Sequence, residues 1–216
     1  MYCSQCQGIE NIFNRKKAES DLKEYRRKGP AATTRLLIEG LKAEGVEGLT
    51  LLDIGSGVGV LPNELLRVGA REATDVDASA AYLEVAKAEA AYQNHADRIN
   101  YYHGDFLDIA ADLSAADIVT LDRVICCYHD MDALVELSSA RALKLYGLVL
   151  PRESWWLRLG LGLGNLFYRL QRNPFRVYMH PTQKVEAKVR RNGLNRRYIR
   201  QTLLWQVMVY AREPEL

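Results

Sequence analysis

A short apolar run that leads directly into a glycine-rich turn constrains the fold of this chain more than any other feature. Leu51, Leu52 and Ile54 are typical of a buried strand, and residues 55–59 then place three glycines within five positions. Glycine lets the backbone turn sharply and approach a ligand closely, and a helix that begins after such a turn presents free N–H groups. The segment therefore predicts a strand, a ligand-binding turn and a helix.

The rest of the chain continues this alternation. Apolar runs at residues 49–54, 72–76, 98–103, 117–121 and 146–150 predict five strands, with helical patterns between most of them. Strands that alternate with helices predict an α/β fold with a parallel sheet. Two further strands, at residues 197–203 and 205–211, are expected to form a hairpin at the edge of the sheet.

The 216 residues suit one domain with a modest insertion. We assign residues 1–44 to an N-terminal helical segment, with one polar helix over residues 10–28, and residues 45–216 to the main domain. Within that domain, residues 152–180 interrupt the strand–helix pattern and are rich in aromatic residues, leucine and glycine. They are interpreted as an insertion that covers a substrate.

The spacing of the glycines distinguishes between classes of nucleotide-binding turn. The dinucleotide fingerprint requires its third glycine at position 60, which is Val60, whereas here that glycine comes one residue earlier. An acid, Asp53, also stands two positions before Gly55. This pattern resembles class I methyltransferases that use S-adenosylmethionine (SAM), and the resemblance implies a Rossmann-like seven-stranded sheet, mostly parallel with an antiparallel last strand and helices on both faces. It also implies SAM as cofactor, with Asp53 near its methionine end.

Three further elements follow in the order expected of that family. Asp77 ends the second strand, 77 − 53 = 24 residues after Asp53, close to the ~20 of one crossover unit, and the resemblance implies that it accepts the ribose hydroxyls. Asp75 is expected to be a capping or surface residue. Asp105 and Phe106 would meet the adenine amino group and ring. The full predicted cofactor site is Asp53, Gly55, Ser56, Gly57, Gly59, Asp77, Ala78, Asp105, Phe106 and Asp122.

Candidate catalytic residues follow the fourth strand. His129 could act as a general base, or could cap the next helix together with Asp130. Arg123 could bind an anionic substrate, or could pair with Asp122 or Asp130. Cys126 and Cys127 are interpreted as small apolar residues, and no metal site is predicted. The pair Cys3 and Cys6 has the spacing of half a zinc site without a second half, so its role is left open.

The C-terminal part has a narrower resemblance, to magnesium-protoporphyrin IX O-methyltransferases. It rests on Leu-Asp at the end of strand four, a Tyr-containing turn (Tyr128), proline and aromatics after strand five, and Tyr178-x-His180 before the last helix. That family esterifies a porphyrin propionate, so the resemblance implies a large apolar carboxylate as acceptor. Arg158 and Arg176 in the insertion would then face its carboxylates. A membrane-surface contact or an ordinary core helix are the alternatives for this segment.

Composition narrows the partners further. The net charge of +2 gives no strong attraction to nucleic acid, and the absence of an N-terminal apolar run predicts a cytoplasmic location. No transmembrane segment is predicted, a peripheral membrane contact stays open, and so does the oligomeric state. The leading hypothesis is therefore a methyltransferase for a small molecule. The alternatives are a methyltransferase for a macromolecule, a SAM-binding regulator without catalysis and, disfavoured by Val60, an NAD enzyme.

Overall fold

The computed structural model describes residues 4–213, and the side chains of residues 8–213. Cys3 and the side chain of Cys6 therefore lie outside the described residues. The strands are β1 (Thr50–Ile54), β2 (Glu72–Asp77), β3 (Ile99–His103), β4 (Ala116–Asp122), β5 (Ala142–Pro151), β6 (Leu194–Gln201) and β7 (Trp205–Arg212).

These seven strands form one sheet in the order β3-β2-β1-β4-β5-β7-β6. Strands β1 to β5 are parallel to one another, while β7 is antiparallel to both β5 and β6. The predicted Rossmann-like sheet, with its antiparallel last strand and its edge hairpin, is confirmed. In a sheet of this kind the ligand site lies at the carboxyl ends of the strands, where the strand order reverses, and β1 and β4 lie at that reversal.

The helices are α1 (Ser4–Ile12), α2 (Arg15–Lys28), α3 (Ala32–Glu44), α4 (Val60–Arg67), α5 (Ala80–Tyr92), α6 (Phe106–Ile109), α7 (Met131–Ala140), α8 (Trp155–Leu170) and α9 (Thr182–Arg191). The single helix expected over residues 10–28 is interrupted. Asn14 caps α2, its side-chain oxygen accepting a hydrogen bond from Lys17 N at 3.2 Å. This cap ends one helix and starts another, which lets α1 and α2 meet at an angle.

Apolar layers cover both faces of the sheet, as a parallel sheet requires. Leu52 and Ile54 of β1 belong to one buried cluster, and Leu51, just before them, belongs to the other. Leu37 and Leu41 of α3 are fully buried in that second cluster. The third helix of the N-terminal segment therefore packs in the core of the sheet, and the boundary after residue 44 stays a prediction.

The insertion contains a helix of 16 residues, α8, although it includes Gly160, Gly162 and Gly164. No residue of α8 is buried, which excludes the core-helix alternative. Between residues 4 and 213, no helix combines the length and the hydropathy that crossing a bilayer requires.

Candidate functional site

A cavity of about 1030 Å³ opens at the carboxyl ends of β1, β2 and β4. We call the side formed by the glycine turn and the strand ends its floor, and the side formed by α1, α2, α8 and the segment after α8 its roof. The volume is at the upper end of the ~300–1,000 Å³ typical of small-molecule sites. The cavity therefore has room for more than one ligand.

The glycine turn forms the centre of the floor. Gly55, Gly57 and Gly59 all have positive φ angles, of 70°, 59° and 75°, which side chains strongly disfavour. A Cβ at Gly55 would lie only 2.4 Å from Cγ2 of Val124. The turn thus needs glycine for its backbone and, at Gly55, for the close approach of the β4 loop.

Asp77 lies at the end of β2 and is held by backbone donors. Gly57 N donates to its Oδ2 at 3.0 Å, and Ser79 N donates to its Oδ1 at 2.8 Å. Burial nevertheless raises its pKa to about 6. The carboxylate is fixed in orientation, and each oxygen keeps one lone pair for a further donor.

Asp53 is 1% exposed, and Thr120 Oγ1 donates to its Oδ1 at 2.6 Å. Burial raises its pKa well above the usual range, and the nearby charges of Asp122 and Asp77 add to the effect. A cation at the cavity wall would remove this cost. Asp53 is therefore placed and poised to attract a positive group.

Asp75 is not the capping or surface residue that we expected. It is fully buried, and neither of its carboxylate oxygens has a hydrogen-bond partner among the described residues. Burial, followed by the charges of Asp53 and Asp77, raises its pKa well above the usual range. The β2 pleat explains this, because alternate residues of a strand point to opposite faces and both faces of this sheet are covered.

The segment after β3 contributes unequally to the cavity. Phe106 is 2% exposed and lines it, as does Ala78 after β2. Asp105 is not among the lining residues, and one of its oxygens accepts from Leu107 N at 3.0 Å, which caps α6. Its predicted contact with the adenine amino group stays a prediction.

Asp122 and Arg123 form the edge of the floor at the end of β4. Arg123 Nε donates to Asp122 Oδ1 at 3.0 Å, and Thr34 Oγ1 donates to the other oxygen. Arg123 has a φ of 64°, which is unusual for a side chain of this size. Its guanidinium lines the cavity as one half of an ion pair, which is one of the two roles proposed from the sequence.

His129, the candidate base, is exposed and is not among the residues that line the cavity. Asp130 is the residue that caps α7, accepting from Ala133 N at 2.9 Å. Cys126 and Cys127 do line the cavity, with their sulfurs 3.9 Å apart. The hydrogen bond with Cys127, together with burial, raises the pKa of the Cys126 thiol.

The turn after β4 is braced by the predicted Tyr-x-His element. Tyr178 N donates to Cys126 O at 2.7 Å, and His180 Nε2 lies 2.8 Å from Tyr128 O. The rings of Tyr178 and His180 stack with their centroids 5.8 Å apart. This element therefore ties the segment after α8 to the rim of the cavity.

The N-terminal helices were not predicted to form part of the site. Phe13, Lys17, Asp21 and Tyr25 line the cavity from α2 and the turn before it. The only sequence signal was a few apolar residues in an otherwise polar stretch, such as Phe13 and Tyr25.

Polar contacts attach this part of the roof to α5. Ser79 Oγ donates to Phe13 O at 2.7 Å, and Tyr82 Oη donates to Asp21 Oδ2 at 2.6 Å. Arg26 pairs at 2.6 Å with Glu89, which is itself 1% exposed. The N-terminal segment is thus docked over the cofactor turn by specific bonds.

Helix α8 supplies the apolar part of the roof. Leu157, Leu161 and Tyr168 line the cavity from it. Arg158 and Arg176, predicted to face an anionic acceptor, are not lining residues; Arg176 donates to the backbone of Asn173 and Phe175. The cations at the cavity wall are instead Lys17, Lys28, Arg35 and Arg123.

Residues 52–150 match the family described as a methyltransferase domain. This stretch contains the acid, the glycine turn and the strand ends that form the floor. Residues 52–150 are therefore similar to a methyltransferase domain, and this matched stretch supplies the floor of the cavity.

A curated relative matches about half of the chain. Ribosomal protein L11 methyltransferase of Clostridium perfringens is 30% identical over 105 residues, which is 47% of this chain and 33% of that protein. The match thus spans about a third of the curated relatives' length.

Solved structures resemble nearly the whole chain, and not only the region of residues 52–150. Magnesium protoporphyrin IX methyltransferase from Synechocystis PCC 6803, with bound SAH, has a TM-score of 0.70 at 17% identity and covers 95% of this chain and 98% of that one. Geranyl diphosphate C-methyltransferase from Streptomyces coelicolor A3(2) has a TM-score of 0.66 at 17% identity, covering 92% and 84%. At these identities the likeness concerns the fold.

Proposed function

We propose that this chain transfers a methyl group from SAM to a small-molecule acceptor that carries a carboxylate on a large apolar body. One observation carries the proposal: a single cavity of about 1030 Å³ joins an acidic, glycine-lined floor to a largely apolar roof. The floor suits a polar cofactor, and the roof suits an acceptor with a large apolar surface.

The floor offers a partner for each part of the cofactor. Asp77 keeps lone pairs free for the two ribose hydroxyls, and Asp53 offers a carboxylate to the methionine ammonium. Phe106 offers an aromatic face to the adenine ring. The family resemblance and the matched domain support these assignments.

SAM supplies a methyl group that its positive sulfur already activates. The residues of the chain have to align the acceptor with that methyl group and exclude water. Leu157, Leu161 and Tyr168 of the roof are placed to do both. The contribution of the protein is then mainly one of orientation.

The choice of a carboxylate rests on the groups at the cavity wall. Among the described residues, none of the histidines lines the cavity, and Asp77, whose pKa is about 6, is committed to the floor. A carboxylate acceptor is already ionised near neutral pH and needs no base. Arg35 and Arg123 at the wall offer positive charge for it, and a porphyrin propionate is one example of such a group.

The test is a methyl-transfer assay with radiolabelled SAM and purified protein against apolar carboxylic acids, including a metalloporphyrin. We expect a base-labile methyl ester and a rate that changes little between about pH 6.5 and 9. Arg35→Gln should raise KM, whereas Arg158→Gln, which lies off the cavity, is the matched control. A rate that rises steadily with pH would indicate a phenol or amine acceptor and contradict the proposal.

A protein acceptor is the second candidate, because the curated relative is a ribosomal protein methyltransferase. Its match includes no more than half of this chain. Incubating the protein and labelled SAM with cell extract, then separating macromolecules from small molecules, distinguishes the two. Label in a protein band would favour the second candidate, and label in the organic extract the first.

A further inference from the structure

Helix α8 has a second apolar face that points away from the cavity. We call it the outer face of α8, and its side chains are between 41% and 80% exposed: Trp155, Trp156, Leu159, Leu163, Leu166, Phe167 and Leu170. These positions recur at helical spacing along the whole helix, about 24 Å in length. A contiguous apolar surface of this kind marks an interaction site.

The opposite face of the same helix lines the cavity through Leu157, Leu161 and Tyr168. Asn165 fixes this orientation, because its amide donates to Val177 O at 2.7 Å and its oxygen accepts from Val177 N at 2.8 Å. The outer face is therefore held outward by bonds on the inner side. It is not a core surface left uncovered by a rotated helix.

The glycines of α8 do not serve packing within the chain. A Cβ at Gly160, Gly162 or Gly164 would meet no atom within 4 Å. Glycine weakens a helix in water, so three of them in one helix are unfavourable unless another surface stabilises it. The packing of the chain itself therefore gives no reason for these three glycines.

The charge around α8 indicates what that surface is. From residue 154 to residue 185 the sequence contains no acidic residue and five basic ones: Arg158, Arg169, Arg172, Arg176 and Lys184. Arg158, Arg169 and Arg172 have no acidic partner within 4.0 Å among the described residues, whereas most basic residues of α2 do. An apolar face bordered by arginines complements a lipid surface with anionic headgroups.

A second copy of the chain fits this surface less well. Two outer faces packed antiparallel about the centre of α8 would bring Arg158 of each copy close to Arg169 of the other, since the two lie at similar distances from that centre. Like charges would then meet at the rim of an apolar contact. In a bilayer the same arginines reach phosphates.

The surface continues beyond α8. Arg152 N donates to Leu204 O at 2.9 Å, which joins the turn between β6 and β7 to the start of the helix. Leu203 in that turn is 73% exposed. Trp155 and Trp156 lie at the same end, and tryptophan is the residue most at home at a membrane interface.

We propose that the outer face of α8, together with Leu203, binds the surface of an anionic phospholipid membrane. The apolar side chains enter the interface, and Arg158, Arg169 and Arg172 contact the headgroups. This inference does not depend on which acceptor is methylated.

Vesicle flotation of the full chain tests the proposal. We expect binding to vesicles of phosphatidylcholine mixed with phosphatidylglycerol, little binding to phosphatidylcholine alone, and release as salt rises. Leu163→Glu/Leu166→Glu should abolish flotation. The matched control is Leu137→Glu/Leu143→Glu, which changes two exposed leucines elsewhere on the surface and should float like the parent.

A second pair of variants tests the charge. Arg158→Gln/Arg169→Gln should reduce binding to anionic vesicles at least about tenfold, while Lys42→Gln/Arg71→Gln, in the segments that precede β1 and β2, should not. Unchanged melting and SAM binding will show that each variant is folded. The proposal would be overturned if the parent did not float, or if the α8 variants and the control variants had equal effects. It would also be overturned if the parent formed a dimer that bound no vesicles and that Leu163→Glu/Leu166→Glu dissociated.

Discussion

Asp53 and Asp75 are direct neighbours in the register of β1 and β2, and both are buried. Thr120 donates a hydrogen bond to Asp53, whereas neither carboxylate oxygen of Asp75 has a partner in the part of the chain that the structure describes. Burial is the main cause that raises both pKa values well above the usual range. β1 and β2 therefore contain two neighbouring carboxyl groups whose ionisation opposes folding, and of the two only Asp53 lines the cavity, where a cation could reach it.

The first prediction concerns Asp75 and stability. A group whose folded pKa is raised stabilises the fold at low pH, and that contribution is lost as pH rises through the folded pKa. Asp75→Asn removes this ionisation. Between about pH 5 and 8 the free energy of unfolding of the variant should therefore fall less than that of the parent, and at the upper end the variant should be about 1–3 kcal/mol more stable. Urea denaturation across this range measures it. Parallel pH profiles of parent and variant would contradict the prediction.

A second prediction concerns Asp53 and proton release. Its pKa is raised in the free protein, and the positive end of SAM should lower it on binding, so the complex releases a proton. Calorimetric titration in buffers of different ionisation enthalpy measures this proton. Asp53→Asn should bind SAM more weakly and release no proton, and undiminished release from the variant would mean that another group is responsible.

Asp77 should make SAM binding dependent on pH near its own pKa of about 6. The ionised form accepts the ribose hydroxyls, so the contribution of Asp77 to the affinity should be constant above about pH 7 and fall below pH 6. Asp77→Asn should weaken binding at least about tenfold at pH 7.5 and flatten the acid limb. Asp75→Asn is the control, because Asp75 is not a lining residue, and equal losses would place the wrong acid at the ribose.

Substitutions on the two faces of α8 should have different effects on the kinetics of methyl transfer. Leu157→Ser/Leu161→Ser changes the cavity roof, so kcat/KM for a water-soluble acceptor should fall at least about tenfold while SAM affinity is kept. Leu159→Ser/Leu163→Ser changes only the outer face and should leave both values within about twofold. Loss of SAM binding in the inner pair would make α8 part of the cofactor site.

Two glycine substitutions should have opposite signs. Gly55→Ala combines a φ of 70° with a contact of 2.4 Å to Val124, and it should destabilise the fold by about 2 kcal/mol or more. Gly160→Ala meets no atom within 4 Å in a helix and should instead be neutral or stabilise by about 0.5–1 kcal/mol. Thermal melting of both variants compares them directly.

The strands and the cofactor floor followed from sequence because their signals are local. Asp53, the glycines and Asp77 lie within 25 residues of one another, in one predicted unit of strand, turn, helix and strand. The parallel sheet followed from the alternation of strand and helix, and the edge hairpin from the two strands that end the chain.

The buried state of Asp75 and the roof depended on contacts between distant segments. Phe13 meets Ser79 and Asp21 meets Tyr82 across more than 60 positions of sequence, through single hydrogen bonds. The sequence of a polar helix contains no pattern that predicts such distant hydrogen-bond partners. The position of Arg158 was likewise fixed by the rotation of α8, which the Asn165–Val177 bonds set.

Helix α8 is apolar on both sides: its inner side chains line the cavity, and its outer side chains are exposed. If it lifts from the cavity in water, its inner side chains and the apolar lining beneath them become exposed to solvent, and this opposes opening. Where the medium outside is itself apolar, these newly exposed groups meet that medium rather than water, so the cost of the same movement is smaller. The helix therefore couples access to the cavity to the polarity of whatever lies outside it, and a substrate concentrated in an apolar phase meets the lower barrier.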